Sequence, residues 1–288
     1  MDALRVIMIG DVVGNPGLDV LEKLLPSLIR DERADFVVVN GENAADGFGI
    51  TNPNLSRILA AGADVVTSGN HVWEKRDFWP VLDTEERILR PLNYPAGAPG
   101  HGWVLIRKNE IPYLVINLQG RELMTPIDCP FRSFDSVIQE TFGSPETLGS
   151  PETLGTQESL GTQESLKSPA IVLVDFHAES TREKEALGYY LDGRAGLVVG
   201  THTHVQTADE KVLPGGTGYI SDLGMTGVSG GIIGMDAKIC LDRARTQVLY
   251  RMACAEPSAD QVPELRGVIA EMDRETGKAL SMRRLRVF

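Results

Sequence analysis

Short, almost wholly apolar runs alternate with helical stretches along the first half of the chain. Leu4–Ile9, Phe36–Val39 and Val65–Val66 have the length and composition of buried strands. Between them, Leu18–Arg30 carries apolar residues at a helical period, and Asn52–Ala61 has a proline in its first turn. Strands that are apolar on both faces have to be covered on both faces. The pattern therefore predicts an α/β fold, with helices layered over a large central sheet or a pair of sheets.

The rest of the chain continues the strand pattern with a single predicted helix, over about 180–191. Its predicted strands are Val104–Ile106, Tyr113–Asn117, Ile171–Asp175, Leu197–Val199 and Tyr219–Ile220. The segment Gly267–Val287 is typical of a hairpin closed by a polar turn. We expect all of residues 1–288 to form a single domain.

The segment 144–167 departs from this pattern because it consists of four copies of a hexapeptide. The first two copies read Ser-Pro-Glu-Thr-Leu-Gly, and four copies are too few for a stacked β-helix. Loops tolerate such additions because the entropy of loop closure grows slowly with loop length. We therefore expect a low-complexity surface insertion that takes no part in the chemistry.

The charge balance limits the partners of the chain. The chain has 28 Lys and Arg against 40 Asp and Glu, a net charge of −12. This balance provides no excess of positive charge for binding the phosphates of a long nucleic acid. A nucleotide substrate would then need locally placed positive charge, of which a bound metal ion is the obvious source. No apolar run reaches the roughly 18 residues of a membrane span, and the first ten residues lack the features of a signal peptide. We expect a soluble, cytoplasmic protein with no membrane partner.

Polar residues follow the predicted strands at the point where each strand ends. They are Asp11, Glu42 and Asn43, Asn70 and His71, His177, and His202 and His204. In open α/β sheets the carboxyl ends of the strands form the crevice where ligands bind. Four of the five histidines occupy such positions, which chance scattering explains poorly.

Taken one at a time, these residues have simpler explanations. Asp11 would serve as a turn residue, Glu42 as part of a polar loop, and His177 as a hydrogen-bonded imidazole. His202 and His204 form a stronger signal, because alternation along a strand would place both imidazoles on one face. Taken together, the residues favour a metal site, and mixed carboxylate, amide and imidazole ligands suit Mn, Fe or Zn. The candidate ligands, which are too many for one ion and divide over two metals sharing Glu42, are Asp11, Glu42, Asn43, Asn70, His177, His202 and His204.

Other chemistries lack their motifs in this sequence. Gly10, Gly14 and Gly17 follow a predicted strand, but their spacing differs from that of a dinucleotide-binding loop. No phosphate-binding GxxxxGK[ST] loop occurs. His101 stands in a Gly- and Pro-rich stretch without a partner and is predicted to be a loop residue. The three cysteines are widely spaced, without CxxC, which argues against a disulfide frame or a thiolate zinc site.

In this order, the motifs resemble those of the calcineurin-like metallophosphoesterase superfamily. Two departures point to one branch: Asp11 is followed by Val12-Val13 where the superfamily has a histidine, and Gly41-Glu42-Asn43 replaces its usual Gly-Asp. The combination resembles the YmdB-like family of bacterial phosphodiesterases, and the similarity covers nearly the whole chain outside the insertion. The blocks that carry it are Ile9–Gly14, Asn40–Asn43, Thr67–Trp73, Asp175–Glu179, Asp192–Arg194, Gly200–Thr207 and Gly224–Gly227.

The resemblance implies a four-layer α/β/β/α sandwich with a dinuclear metal centre in a cytoplasmic homo-oligomer. It also implies hydrolysis of 2′,3′-cyclic nucleoside monophosphates, with 3′,5′-cyclic AMP as a further substrate of the family. Carried over by position, one metal would take Asp11, Glu42, Asn43 and His204, and the other Glu42, Asn70, His177 and His202. His71 would be the catalytic proton donor rather than a ligand, acting after a metal-bridging hydroxide attacks phosphorus.

Two other hypotheses stay open at this point. The same centre would also serve a phosphomonoesterase or a nuclease that trims RNA ends, and rates on 2′,3′-cyclic AMP, 2′-AMP and an oligonucleotide would separate these. Alternatively, the bound metals would belong to a regulatory scaffold that recognises partners. The complete ligand set with His71 beside it argues against a purely structural role.

Overall fold

The computed structural model describes residues 3–143, 170–259 and 261–288 of the chain. Along these ranges the elements run β1 Leu4–Ile9, β2 Asp11–Val12, α1 Gly14–Glu32, β3 Phe36–Asn40, α2 Asn52–Ala60, β4 Val65–Thr67, a 3₁₀ turn Arg76–Phe78, α3 Trp79–Thr84, β5 Trp103–Lys108, β6 Ile111–Gln119, α4 Pro130–Phe142, β7 Ile171–His177, α5 Thr181–Tyr190, β8 Leu197–Thr201, β9 Lys211–Val212, β10 Gly218–Ile220, β11 Met225–Val228, α6 Ala237–Thr246, β12 Pro263–Met272 and β13 Ala279–Val287. The insertion predicted at 144–167 lies outside the described residues.

The strands form two sheets, each of which contains a run of parallel strands. The first sheet has the order β2-β11-β12-β1-β3-β4, with β13 also paired to β12, and the second has the order β5-β6-β7-β8-β10-β9. In the first sheet, β1, β3 and β4 are parallel. In the second, β6, β7, β8 and β10 are parallel. Parallel strands bring their carboxyl ends to one edge, so polar residues that follow different strands become neighbours.

Apolar side chains fill three separate layers. Outside the first sheet, leucines of α1 and α2 pack on residues such as Ile7 and Val37. Between the sheets, alternate residues such as Val6 and Met8 face the second sheet, and Phe36 stacks on Tyr113 with ring centroids 4.1 Å apart. Outside the second sheet, α4 and α5 cover the other faces of β6 and β7. The order helix, sheet, sheet, helix confirms the predicted four-layer sandwich.

The predicted strands and helices are present, and most are longer than the apolar runs that indicated them. The helix predicted from Leu18 begins at Gly14, and the strand predicted over Tyr113–Asn117 spans nine residues. The hairpin near the end of the chain is confirmed as the antiparallel pair β12 and β13. Helices α3, α4 and α6 and the short strands β2, β9 and β11 were not predicted, although α4 spaces Phe131, Phe134 and Ile138 at a helical period. Within the described ranges, every helix is too short or too polar to cross a membrane.

Candidate metal centre

The predicted site residues lie at the carboxyl ends of strands from both sheets. The first sheet contributes Asp11, Glu42, Asn43, Asn70 and His71, and the second contributes His177, His202 and His204. A cleft of about 330 Å³ opens there, and six of the eight line it: Glu42, Asn43, His71, His177, His202 and His204. Asp11 is fully buried next to His177, and Asn70 is partly buried one residue before His71.

Two glycines allow the backbone to approach closely enough to assemble this edge. A Cβ at Gly10 would overlap the carbonyl oxygen of Gly224, so only glycine lets β1 continue directly into Asp11. A Cβ at Gly69 would overlap the carboxylate of Glu42 and the ring of His177. The glycines that precede the candidate ligands are therefore required by close contact rather than by turn geometry alone.

Glu42 and His177 form the centre of the cluster. The Nε2 atom of His177 lies 2.6 Å from Glu42 Oε2 and 2.9 Å from His202 Nδ1. Asp11 Oδ1 lies 3.8 Å from His177 Nδ1 and 4.0 Å from His204 Nε2. Ligand atoms of Asp11, Glu42 and His177 all fall within 4.8 Å of one another, close enough to share one metal ion.

The loop that carries His202 and His204 does not have the conformation that the sequence indicated. The prediction that strand alternation places both imidazoles on one face is wrong, because β8 ends at Thr201 and the two histidines have φ values of 99° and 65°. Residues other than glycine rarely adopt this left-handed backbone conformation, so other contacts have to hold the loop in place. The carboxylate of Asp222 does so by accepting hydrogen bonds from the backbone and hydroxyl of Thr203. Both histidines nevertheless line the cleft.

Buried Lys184 completes this support of the histidine loop. Its ammonium lies 2.7 Å from Asp222, and both side chains are almost fully buried. A buried ion pair is favourable when further hydrogen bonds satisfy its remaining polar atoms, as those from Thr203 do here. The ion pair therefore fixes the acceptor directly beneath Thr203, between the two histidines.

Each of the three histidines has one ring nitrogen engaged by a group outside the cluster. The pairs are His177 Nδ1 with Thr201 Oγ1 at 3.0 Å, His202 Nε2 with Glu179 Oε2 at 3.2 Å, and His204 Nδ1 with the carbonyl of Ile233 at 2.8 Å. An acceptor on one nitrogen holds the proton there and leaves the lone pair on the other. The free nitrogens are those that approach Glu42, Asp11 and each other, as metal-binding histidines require.

Asp175 connects the two sheets behind the cluster. Its carboxylate accepts hydrogen bonds from Asn40 at 2.9 Å, from Thr201 at 2.7 Å and from Thr67. Burial raises the pKa of Asp175 to about 7, although the hydrogen bonds from these three donors act to lower it. Our sequence prediction missed this role, although Asp175 stands two residues before His177 on one strand and therefore on the same face.

Unsatisfied oxygen atoms show that the cluster suits a cation. Asp11 Oδ1, Glu42 Oε2, Asn43 Oδ1 and Asn70 Oδ1 are buried without a hydrogen-bond donor. Burial raises the pKa of both carboxyls and lowers the pKa of His177 and His202 to about 3. Buried oxygens in native proteins normally have partners, and carboxylate, amide and imidazole donors together suit a divalent cation of the first transition row.

His71 differs from the other cleft histidines in its surroundings. Its side chain is 27% exposed, its Nδ1 lies 3.3 Å from Glu74 Oε1, and its ring meets the edge of Phe48 with centroids 5.1 Å apart. Its backbone N–H donates to Glu42 Oε1 at 2.7 Å, which ties it to the cluster without placing the ring there. The fifth histidine, His101, is an exposed loop residue near Asp83, as predicted.

Comparison with known proteins gives consistent matches along the whole chain. The model of the YmdB-like protein family matches residues 7–148 and 155–285, and the six residues left out have the length of one hexapeptide copy. The 2′,3′-cyclic-nucleotide 2′-phosphodiesterase of Bacillus subtilis is 40% identical over 98% of this chain and 96% of its own length.

Two solved structures have the same fold. A hypothetical protein from Thermus thermophilus superposes with a TM-score of 0.81 at 36% identity, over 98% of each chain. A novel phosphatase from Mycoplasma pneumoniae superposes with a TM-score of 0.84 at 27% identity, over 100% of this chain and 94% of its own. The four-layer arrangement is thus shared with proteins that this chain matches from end to end.

Proposed function

The chain belongs to the YmdB-like family and is a phosphoric diester hydrolase, and we propose that it hydrolyses 2′,3′-cyclic nucleoside monophosphates with two divalent metal ions. The observation that carries the proposal is the convergence of four unsatisfied buried oxygens and three oriented imidazoles at the strand ends around one cleft. The named activity of the Bacillus subtilis relative supports the choice of substrate class. We include 3′,5′-cyclic AMP as a further candidate substrate.

We assign the cluster to two cations that share Glu42. One would be held by Asp11, Glu42, Asn43 and His204, and the other by Glu42, Asn70, His177 and His202. The orphaned oxygens of Asp11, Glu42, Asn43 and Asn70 and the oriented nitrogens of the three histidines support this assignment. Bound there, two such cations would generate a nucleophile from water at neutral pH and stabilise charge on the phosphoryl oxygens. The donor set suits Fe or Mn, with Zn as a third candidate.

We propose that His71 protonates the departing ribose oxygen. It lines the cleft beside Glu42 but keeps its ring outside the buried cluster, so no cation competes for its proton. Glu74 Oε1, 3.3 Å from Nδ1, would hold the proton on that nitrogen, so the imidazolium form of His71 would give up its Nε2 proton. A positioned acid of this kind typically contributes about 10²–10⁴ in rate.

The cleft and the overall charge support a small substrate. A volume of about 330 Å³ lies at the lower end of the range for small-molecule sites and accommodates a mononucleotide. The net charge of −12 disfavours a long nucleic acid, whose phosphates would be repelled outside the reach of the cations. We therefore propose cyclic mononucleotides as substrates rather than long RNA.

Hydrolysis of 2′,3′-cyclic AMP by protein loaded with Mn²⁺ tests the proposal. Chelator-treated protein is the control, and 3′,5′-cyclic AMP and 2′-AMP are assayed in parallel. We expect metal-dependent release of 3′-AMP, because cleavage of the 2′ bond is the reaction named for the relative. Hydrolysis of 2′-AMP alone would indicate a phosphomonoesterase, and no hydrolysis of any substrate with two metals bound per chain would contradict the proposal.

A further inference from the structure

The cleft that contains the candidate metal ligands also has an apolar wall, formed by Phe48, Ile233, Met235 and Met252. Three of these four belong to a small hydrophobic cluster that is separate from the three main layers and contains five sulfur-bearing side chains. Methionine side chains adapt their shape readily and are frequent on surfaces that bind several related ligands. A wall of this composition suits a flat, apolar ring rather than a phosphate or a bare sugar.

Ile233 is held in this wall at a conformational cost. It is followed by Gly234 in a two-residue turn in which Ile232 and Met235 exchange backbone hydrogen bonds of 2.9 and 3.0 Å. Ile233 has a φ of 50° and Gly234 a φ of 82°, as in a type I′ turn, which favours Asn-Gly. A β-branched residue with positive φ is an outlier, and such outliers concentrate at functional sites.

The two ends of Ile233 have different environments. Its carbonyl oxygen is 2.8 Å from His204 Nδ1, which links the turn to the candidate metal ligands. Its side chain stays 51% exposed and lines the cleft, although a turn at this position would be more stable with a polar residue. An apolar side chain is therefore kept beside the candidate metal ligands, where it gains little from burial in the free protein.

Apart from His71 and the candidate ligands, the polar side chains that line the cleft are engaged with other protein groups. Glu179 contacts His202, Thr203 donates to Asp222, and the amide nitrogen of Asn43 donates to the carbonyl of Gly47. The remaining unsatisfied oxygens in the described part of the cleft are those directed to the cations. Selection among nucleobases requires such groups facing the base edges, because apolar contact distinguishes bases poorly.

We propose that the apolar wall, with Ile233 at its tip, is the nucleobase subsite of this enzyme and accepts purines and pyrimidines alike. The inference rests on the proposed function, since it places the base of the cyclic nucleotide beside the cations that hold its phosphate. Ile233 contacts the base and sets affinity for nucleosides over base-free sugar phosphates. The strained turn fixes the position of the Ile233 side chain relative to His204.

The test compares Ile233→Asn with the wild type on two substrates, 2′,3′-cyclic AMP and a methyl riboside 2′,3′-cyclic phosphate that has no base. We expect kcat/KM for 2′,3′-cyclic AMP to fall about tenfold, mainly through KM, because loss of a base contact is typically of this order. The rate on the base-free substrate stays unchanged. Asparagine suits positive φ, so Tm rises by about 2–4 °C in the same variant.

Ile232→Asn is the matched control, because Ile232 is 46% exposed in the same turn but does not line the cleft. We expect wild-type kinetics on both substrates for this variant, and rates on the four 2′,3′-cyclic nucleotides within about threefold of each other. An equal loss on both substrates in Ile233→Asn would overturn the subsite and assign Ile233 to support of His204. Equal wild-type rates on the nucleotide and the base-free substrate would overturn it as well. Hydrolysis of neither by metal-loaded wild type would instead contradict the proposed function.

Discussion

His71 and the three candidate ligand histidines of the cleft have different partners, which supports different roles for them. The three candidate ligands each direct one ring nitrogen to the cluster and the other to a protein acceptor. His71 has a partly exposed ring whose neighbours are Glu74 and Phe48. Proton transfer requires a group that exchanges its proton with solvent between turnovers, and the position of His71 allows this.

Replacing His71 with glutamine is therefore expected to slow turnover without releasing metal. We expect kcat on 2′,3′-cyclic AMP to fall about 10²–10⁴-fold, as for loss of a general acid. Elemental analysis of the purified variant should still give two metal ions per chain. His101→Gln is the control, because His101 is exposed and lies outside the cleft. Full turnover by His71→Gln would exclude His71 from the mechanism.

At the level of single residues, the sequence indicated the candidate ligands because they follow predicted strands. It did not indicate their supports, which come from distant parts of the chain. Asn40 and Asp175 are 135 residues apart, and Lys184 and Asp222 are 38 apart. A pattern in one segment contains no information about a side chain from another segment until the topology is known.

At the level of strands, Thr201 joins the end of β8 to the network behind the cluster. Its hydroxyl donates to Asp175, so its oxygen accepts the Nδ1 proton of His177 and leaves Nε2 free. The same carboxylate accepts from Asn40 on β3, in the other sheet. The relative position of the two sheets and the orientation of His177 therefore depend on one shared acceptor.

Thr201→Val is expected to weaken metal binding, because the isosteric side chain can neither donate to Asp175 nor accept from His177. Loss of such an outer contact typically costs about 10–100-fold in metal affinity. Titration calorimetry with Mn²⁺ measures the effect. Thr201→Ser retains the hydroxyl and should restore wild-type affinity. Unchanged affinity in Thr201→Val would show that His177 is oriented by its packing alone.

The elements themselves were largely predictable, whereas the loop after β8 was not. Buried parallel strands give an apolar signal in the sequence, and β1, β3 and β7 all show it. The left-handed conformation of His202 and His204 depends on Asp222 and Lys184, and their contribution appears only in three dimensions. Helix α6 buries none of its side chains, which explains why it lacks an apolar period.

At the level of the whole molecule, the candidate metal centre is divided between the two sheets. Four candidate ligands follow strands of the first sheet and three come from the second. Cations bound by both sets would connect the sheets directly, in addition to the apolar layer between them. The unfolded chain has no such arrangement, so metal binding favours the folded state.

Metal is therefore expected to raise the melting temperature of the protein. At a free metal concentration one hundred times Kd, each bound cation adds about 2.7 kcal/mol to the free energy of unfolding. Calorimetry of chelated protein against increasing Mn²⁺ should show Tm rising with the logarithm of metal concentration. In Glu42→Gln, which lacks the carboxylate shared by both proposed sites, the rise should be much smaller. An equal rise in this variant would indicate that stabilisation arises elsewhere on the surface.

The position of β12 has a consequence for how the chain is made. This strand, Pro263–Met272, lies between β1 and β11 in the middle of the first sheet. The ribosome releases β1 first and β12 much later, so until β12 emerges the growing chain carries an unpaired edge on β1. Unpaired edges of nascent sheets are sites of misassembly and chaperone contact. Completion of the first sheet therefore waits for β12, and assembly of the candidate metal centre at the edge of this sheet waits with it.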